Sequence, residues 1–444
     1  MRLQIAILSL VAFAGGAYAA APMEDYKKVP MPPGFHVEAT ELDGPVFADA
    51  KGHTLYQWPF KALRNGITGD PKGKSLCEDV VSQTNAGYMS PYPGGLIIPD
   101  VETRPSCTQA WPPVLAAADA KPVGAWTIIA RKDGTKQWAY DEHPLYTSHL
   151  DSAPGDVIGA TSHSGRGGEH AAVRKPVGPP NNLPPGFEVV SSNNGRLLVT
   201  AQGNASVYVS DKDTATKSMC DVTCTIIWKP VIAPEFAQPT GEWTILERSP
   251  GVKQWAFRKK PLYTNITDNR EQSLEGSDEP GWHNVFLTEA PPPPKEFTTS
   301  DTTAGTVLAD KNGKTIYLYI CGDDAVDQLA CDHPGSTQAF RFALAGGGDP
   351  VRANQRFPMV PAPKDAKPTS RSWTPIDIDP MTGKRGKAGD PGVLHVWAYR
   401  DRPVYTFAKD EPGDYEAEGL GEFKGTRQGY RAFWLRDDFY GRMN

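Results

Sequence analysis

Gln137-Trp138-Ala139-Tyr140, followed by Pro144-Leu145-Tyr146-Thr147 and Asp151, is the stretch from which the rest of the chain can be read. It returns as Gln254-Trp255-Ala256-Phe257, Pro261-Leu262-Tyr263-Thr264 and Asp268, and again as Val396-Trp397-Ala398-Tyr399, Pro403-Val404-Tyr405-Thr406 and Asp410. The Trp-to-Tyr and Tyr-to-Asp steps are the same in all three copies, which is the signature of an internal repeat. Each copy alternates polar and apolar residues on either side of a charged triplet, Asp141-Glu142-His143, Arg258-Lys259-Lys260 or Arg400-Asp401-Arg402. Alternation on both sides of a polar tip predicts a β-hairpin. The sign of the tip charge changes from copy to copy, as suits a solvated turn and not a catalytic carboxylate pair.

Outward from the hairpin, the same order of features recurs. A Pro-Pro-Gly-Phe opening occurs at Pro32 to Phe35 and at Pro184 to Phe187, with a looser form at Pro291 to Phe297. Two short apolar runs around a Gly turn follow, as in Thr306 to Asp310, Asn312-Gly313 and Lys314 to Leu318, a hairpin signal. Then come Cys107-x3-Trp111 and Cys224-x3-Trp228, and strands opening on Trp126, Trp243 and Trp373. The third copy carries a Gly-, Lys- and Pro-containing insertion around Met381 to Pro391 that reads as a loop. Long amphipathic helical periodicity is absent. The fold class expected is therefore all-β: three tandem repeats of short antiparallel strands and hairpins, as separate small domains or stacked into one body. The boundaries expected are a signal peptide over 1–19 and repeats over 32–175, 184–288 and 293–444. A likeness between the parts around Tyr56 and Tyr146 keeps a six-part arrangement open.

Composition limits the function classes. The 43 Gly and 42 Pro, with 11 Trp among abundant aromatics, fit many tight turns around packed cores and not a disordered chain. Net charge is −6 with the signs interspersed, so there is no basic stripe for nucleic acid. Arg2, the apolar run Ile5 to Ala14 and Ala17-Tyr18-Ala19 read as a secretory signal, and that run is too short to span a bilayer. A mature chain without a transmembrane segment, in the periplasm or outside the cell, is expected. Six cysteines suit an oxidising compartment, and the repeat order favours Cys77 with Cys107, Cys220 with Cys224 and Cys321 with Cys331.

The combined pattern G-x-T-L-Y, C-x3-C-x3-W-x-P and W-x-[YF]-x3-P-L-Y-x4-D resembles the secreted repeat family of unknown function, also described as a lipoprotein family with a Y-x4-D motif. That resemblance implies an exported protein and supplies no reaction. The chain departs from the pattern in places. The early Tyr-x4-Asp is intact at Tyr208 and Asp213, but the fifth residue after Tyr56 is Lys61 and after Tyr317 is Gly322.

The candidate binding residues are the motif pairs Tyr146 and Asp151, Tyr208 and Asp213, Tyr263 and Asp268, Tyr405 and Asp410, with Trp138, Trp255 and Trp397. Side chains five apart in a strand lie on opposite faces, so a Tyr–Asp contact within one motif needs an intervening turn. On one reading the Asp closes that turn and offers a partner to a buried Tyr hydroxyl. On the other, the pairs line ligand pockets. The tryptophans pack in cores or, if exposed, offer platforms to sugar rings. His163 and His170 flank a Gly-rich stretch and are the candidate ligands of a transition metal; no other cofactor is implied. No nucleophile elbow, HExxH, P-loop or dinucleotide glycine pattern is present, and no catalytic residue is assigned. The function expected is an exported, non-catalytic binding or scaffolding module in the cell envelope, its ligand and partner unknown, with a cell-envelope component as one candidate. Redox or metal handling, and binding of a carbohydrate or envelope polymer, are the alternatives.

Overall fold

The recurring hairpin forms where alternation requires it. In the computed structural model, which describes residues 22–58, 70–80, 105–159, 175–320, 339–420 and 429–436, strand Val252–Phe257 pairs antiparallel with Trp243–Ser249, with Trp243 opposite Phe257 and Ile245 opposite Trp255. The chain then reverses through Arg258 and Lys259 and returns as Lys260–Pro261. Lys136–Tyr140 and Leu394–Tyr399 do the same with Trp126–Ala130 and Trp373–Ile378. At each reversal the two tip residues have positive φ: Asp141 48° and Glu142 68°, Arg258 49° and Lys259 64°, Arg400 48° and Asp401 66°. Positive φ at both central positions marks the two-residue turn whose twist matches the flanking strands.

Antiparallel strands dominate the described residues, in several small sheets. Three-way hydrogen-bond cycles link these short strands to one another. Trp255 N–H donates to Val231 O, Val231 N–H to Leu262 O, and Leu262 N–H back to Trp255 O, all at 2.9 Å. Trp138, Val114 and Leu145 form the same cycle. So do Phe47, Val177 and Leu55, then Leu198, Val285 and Val207, and then Leu308, Phe433 and Ile316. The inward side chains of paired cycles share a core. Phe47, Leu55 and Val177 pack in one cluster with Val114, Trp138 and Leu145. Leu198, Val207 and Val285 join Trp255 and Leu262 in another. The Phe of each Pro-rich opening lies against both tryptophans of its cluster: Phe187 is 4.5 Å from Trp243 and 6.2 Å from Trp255, centroid to centroid.

Among the described residues helix is confined to short pieces, the longest Ala339–Gly346 and Pro350–Arg356. The second starts on an Asp349 side chain that accepts from Val351 N–H, with Pro350 in the first turn where its missing N–H is harmless.

Contacts also tie distant parts of the chain together. Leu42 is buried in the cluster of Trp373, Trp397 and Phe433. Around it, Asp43 pairs with Arg400 at 2.8 Å, Glu41 accepts from Ser372 N–H at 2.7 Å, and Asp156 pairs with Arg371 at 3.0 Å. Asn193 Nδ2 donates to Trp434 O at 2.9 Å, and Glu24 holds both Arg196 and Thr288 at 2.7 Å.

Candidate functional site

The residue after each cycle is a tyrosine. Leu55 precedes Tyr56, Leu145 precedes Tyr146, Val207 precedes Tyr208 and Leu262 precedes Tyr263. These tyrosines meet as direct cross-strand partners: Tyr56 opposite Tyr146, Tyr208 opposite Tyr263, and Tyr317 opposite Tyr405. All six are fully buried, so each hydroxyl needs a partner.

That partner is not the aspartate of the same motif. Tyr263 donates to Asp213 at 2.7 Å, and Tyr208 donates to Asp268 at 3.0 Å. Tyr56 donates to Asp151 at 2.7 Å, Tyr146 to Asp70 at 2.6 Å, and Tyr317 to Asp410 at 2.5 Å. The crossing follows from the pairing geometry. Each ring extends past the end of the opposing strand and reaches the turn that follows its partner. There the aspartate backbone is fixed by a turn bond, as from Asp213 N–H to Ser210 O and from Asp410 N–H to Phe407 O. The turn half of the sequence reading therefore holds for the backbone, while the Tyr–Asp contacts are exchanged between motifs. For Tyr405, the counterpart of Asp213 falls in 321–338, outside the described residues. The buried Arg341 lies 5.1 Å from the Tyr405 ring, with Asn354 Oδ1 accepting from its guanidinium.

A second layer locks the pairs. Ser75 Oγ and Tyr146 Oη lie 2.8 Å apart, and Arg131 donates to Ser75, to Gln137 Oε1 and to Cys77 O. Ser218, Tyr263, Arg248, Gln254 and Cys220 repeat this arrangement. Gln137 and Gln254 complete it by donating to Leu145 O and Leu262 O. Asp70 lies fourteen residues after Tyr56, where a five-residue step misses it. The signal that would have found it is Asp-x3-Lys-Ser-x-Cys, shared by Asp70 to Cys77 and Asp213 to Cys220. Two of the three expected disulfides, Cys77–Cys107 and Cys220–Cys224, are formed. Cys321, Cys331, His163 and His170 lie outside the described residues.

Burial sets the protonation of these groups. It raises Tyr56, Tyr146, Tyr208 and Tyr317 well above the usual phenol value and pushes Tyr263 up to about 12. The hydroxyls are therefore neutral donors at physiological pH. Burial also pushes Asp151 up to about 7 against the opposing bond from Tyr56, and it raises Asp410. The assembly can clamp strands together and hold protons at fixed atoms. Among the described residues there is no group of three or more His, Cys, Asp or Glu side chains placed to hold a metal ion.

Trp138, Trp255 and Trp397 are 6%, 3% and 2% exposed, so they pack and present no open ring face. Trp138 is nonetheless in the wall of a cleft of about 970 Å³, with Phe35, Pro112, Pro113, Val114 and Leu115. Its rim carries Lys51, Lys121, Asp119 and a His53–Asp49 pair at 3.1 Å. The prolines and Leu115 follow the Cys107-x3-Trp111 segment, and no sequence signal marked them as a site.

A family model described as a secreted repeat of unknown function matches residues 127–163, the stretch that holds Trp138, Tyr146 and Asp151. Searches of curated proteins and of solved structures give no match. The match and the two disulfides fit an exported protein, and no helix among the described residues is long and apolar enough to cross a membrane.

Proposed function

We propose that this chain is an exported, non-catalytic binding protein of three tandem units, and that its ligand site is the cleft beside Trp138. The units run over 32–175, 184–288 and 293–444, behind a leader cleaved after Ala19, and the protein works in the periplasm or outside the cell. The recurring hydrogen-bond cycles and the crossed Tyr–Asp pairs support the repeat reading. The paired Tyr and Asp groups are occupied by one another, which makes them clamps of the fold.

The cleft carries the binding reading. It is of the size that small-molecule sites have, mostly apolar, with a few polar groups at its edge. Its chemistry suits a small amphipathic molecule with an apolar body and a charged end. The test is a titration with 1-anilinonaphthalene-8-sulfonate, an apolar anion. Leu115 is 57% exposed in the cleft wall, so Leu115→Glu sets a charge against the apolar body and the sulfonate of the dye without disturbing the core. Dye affinity is expected to fall at least tenfold at unchanged melting temperature. Equal dye binding by wild type and L115E sinks the cleft as the site.

A further inference from the structure

Exposed large apolar side chains are concentrated on one edge of the middle of the chain. Met219 is 51% exposed, Val222 83%, Ile226 62%, Ile227 40% and Ile266 57%. The backbone segments that carry them are adjacent. The Cys220–Cys224 disulfide closes the loop that carries Val222. Ile227 N–H donates to Cys224 O at 3.1 Å, and Ile266 N–H donates to Ile227 O at 3.1 Å. The result is a stapled apolar tip.

The molecule contains its own controls for this feature. The bond from Ile266 N–H to Ile227 O has counterparts from His149 to Ala110 and from Ala408 to Arg356. At those two places the residue matching Ile226 is Gln109 or Gln355, both exposed. The fold therefore accepts a polar residue at the position of Ile226, and packing does not require an isoleucine there.

We infer that this tip is a membrane-contact surface that inserts into the interface of an anionic lipid bilayer. Three observations favour lipid over protein. The side chains are Met, Val and Ile, whereas protein interfaces anchor on Trp, Tyr and Arg. Five side chains expose on the order of a few hundred Å², short of the roughly 800 Å² per partner of a stable interface. Exposed Lys212, Lys217 and Lys229 flank the tip, and Lys229 Nζ reaches Thr225 O at 2.9 Å, at the base of the loop. Lysine stems can lie along the apolar surface while the ammonium groups meet lipid phosphates. The one carboxylate within the loop, Asp221, is engaged by the N–H groups of Thr223 and Cys224 at 3.0 Å.

The experiment is co-sedimentation with vesicles of phosphatidylglycerol and phosphatidylethanolamine, and with vesicles of phosphatidylcholine. Wild type should pellet with the anionic vesicles, and Val222→Asp with Ile226→Asp should lower the affinity at least tenfold. Lys217→Glu with Lys229→Glu should weaken binding to the anionic vesicles and leave any binding to phosphatidylcholine unchanged. Ile226→Gln, which copies the residue at the matching positions, keeps the test open should the aspartates impair folding; it should weaken binding several-fold at an unchanged melting temperature. Failure of wild type to pellet, or binding indifferent to these variants, overturns the inference. So does a concentration-dependent dimer, seen by sedimentation velocity and abolished by I226Q, since a second copy would then cover the tip.

Discussion

A single hydroxyl decides what each tyrosine contributes. Removing the oxygen of Tyr263 leaves Asp213, 4% exposed, without one of its donors. Tyr263→Phe is expected to cost about 1–3 kcal/mol, measured by denaturant unfolding. The crossed geometry makes a sharper claim. Tyr263 and Asp213 should show strong coupling in a double-mutant cycle, whereas Tyr263 and Asp268, neighbours in sequence and linked only through Tyr208, should couple more weakly. Asp151 gives a pH signature. Its folded pKa, about 7, lies above the unfolded value near 3.9. The folded state therefore binds the proton more tightly, and the stabilisation is present below about pH 4 and lost as pH rises toward 7. Melting temperature should fall between pH 5 and pH 8, and Asp151→Asn should flatten that slope.

At the scale of elements, hairpin tips and disulfides act on different states of the chain. Lys259 is held at φ 64°, a region costly for residues with a Cβ. Lys259→Gly is expected to stabilise the protein by about 0.5–1 kcal/mol, read as a raised melting temperature. The disulfides restrict the unfolded chain according to loop length. Cys77 and Cys107 are 30 residues apart, and Cys220 and Cys224 only 4. Replacing the first pair with serine should cost about 4 kcal/mol and replacing the second about 2 kcal/mol. The small bridge is then better understood as shaping the apolar tip than as holding the fold.

Over the whole molecule, the contacts of Glu41, Leu42 and Asp43 with the C-terminal part join ends of the chain that lie far apart in sequence. Asp43 and Arg400 are about one-tenth exposed. Burial alone would push the guanidinium pKa down, yet Asp43 beside it holds it up. Breaking such a pair strands a buried charge and costs about 3–5 kcal/mol. Asp43→Ala should therefore lower the melting temperature by far more than removal of the exposed Asp133. Calorimetry should show one shared transition that moves as a whole, rather than a separate early step.

The hairpins and the all-β class could be read in the sequence because each is local. The tips, however, are two residues and not three, since His143, Lys260 and Arg402 already pair in the returning strands. Nor is the third tip solvated, because Arg400 is buried against Asp43. Alternation, a polar tip and a Pro-Pro-Gly-Phe opening act over a few residues, and Trp138, Trp255 and Trp397 pack where an invariant large apolar residue has to. The tyrosines, too, stood out by recurrence. Their true partners did not, because Tyr146 meets Asp70 and Tyr56 meets Asp151 across separations of 76 and 95 residues, and an insertion displaced Asp70 from its usual step. The sequence by itself determined which residues must be buried and where the chain must turn, since those depend on side-chain polarity and backbone preference. Only the tertiary structure decided which aspartate each hydroxyl reaches, where a cleft opens beside Trp138, and that the segment carrying Ile266 lies beside the stapled loop. Those outcomes depend on how strands that are distant in the chain are laid against one another.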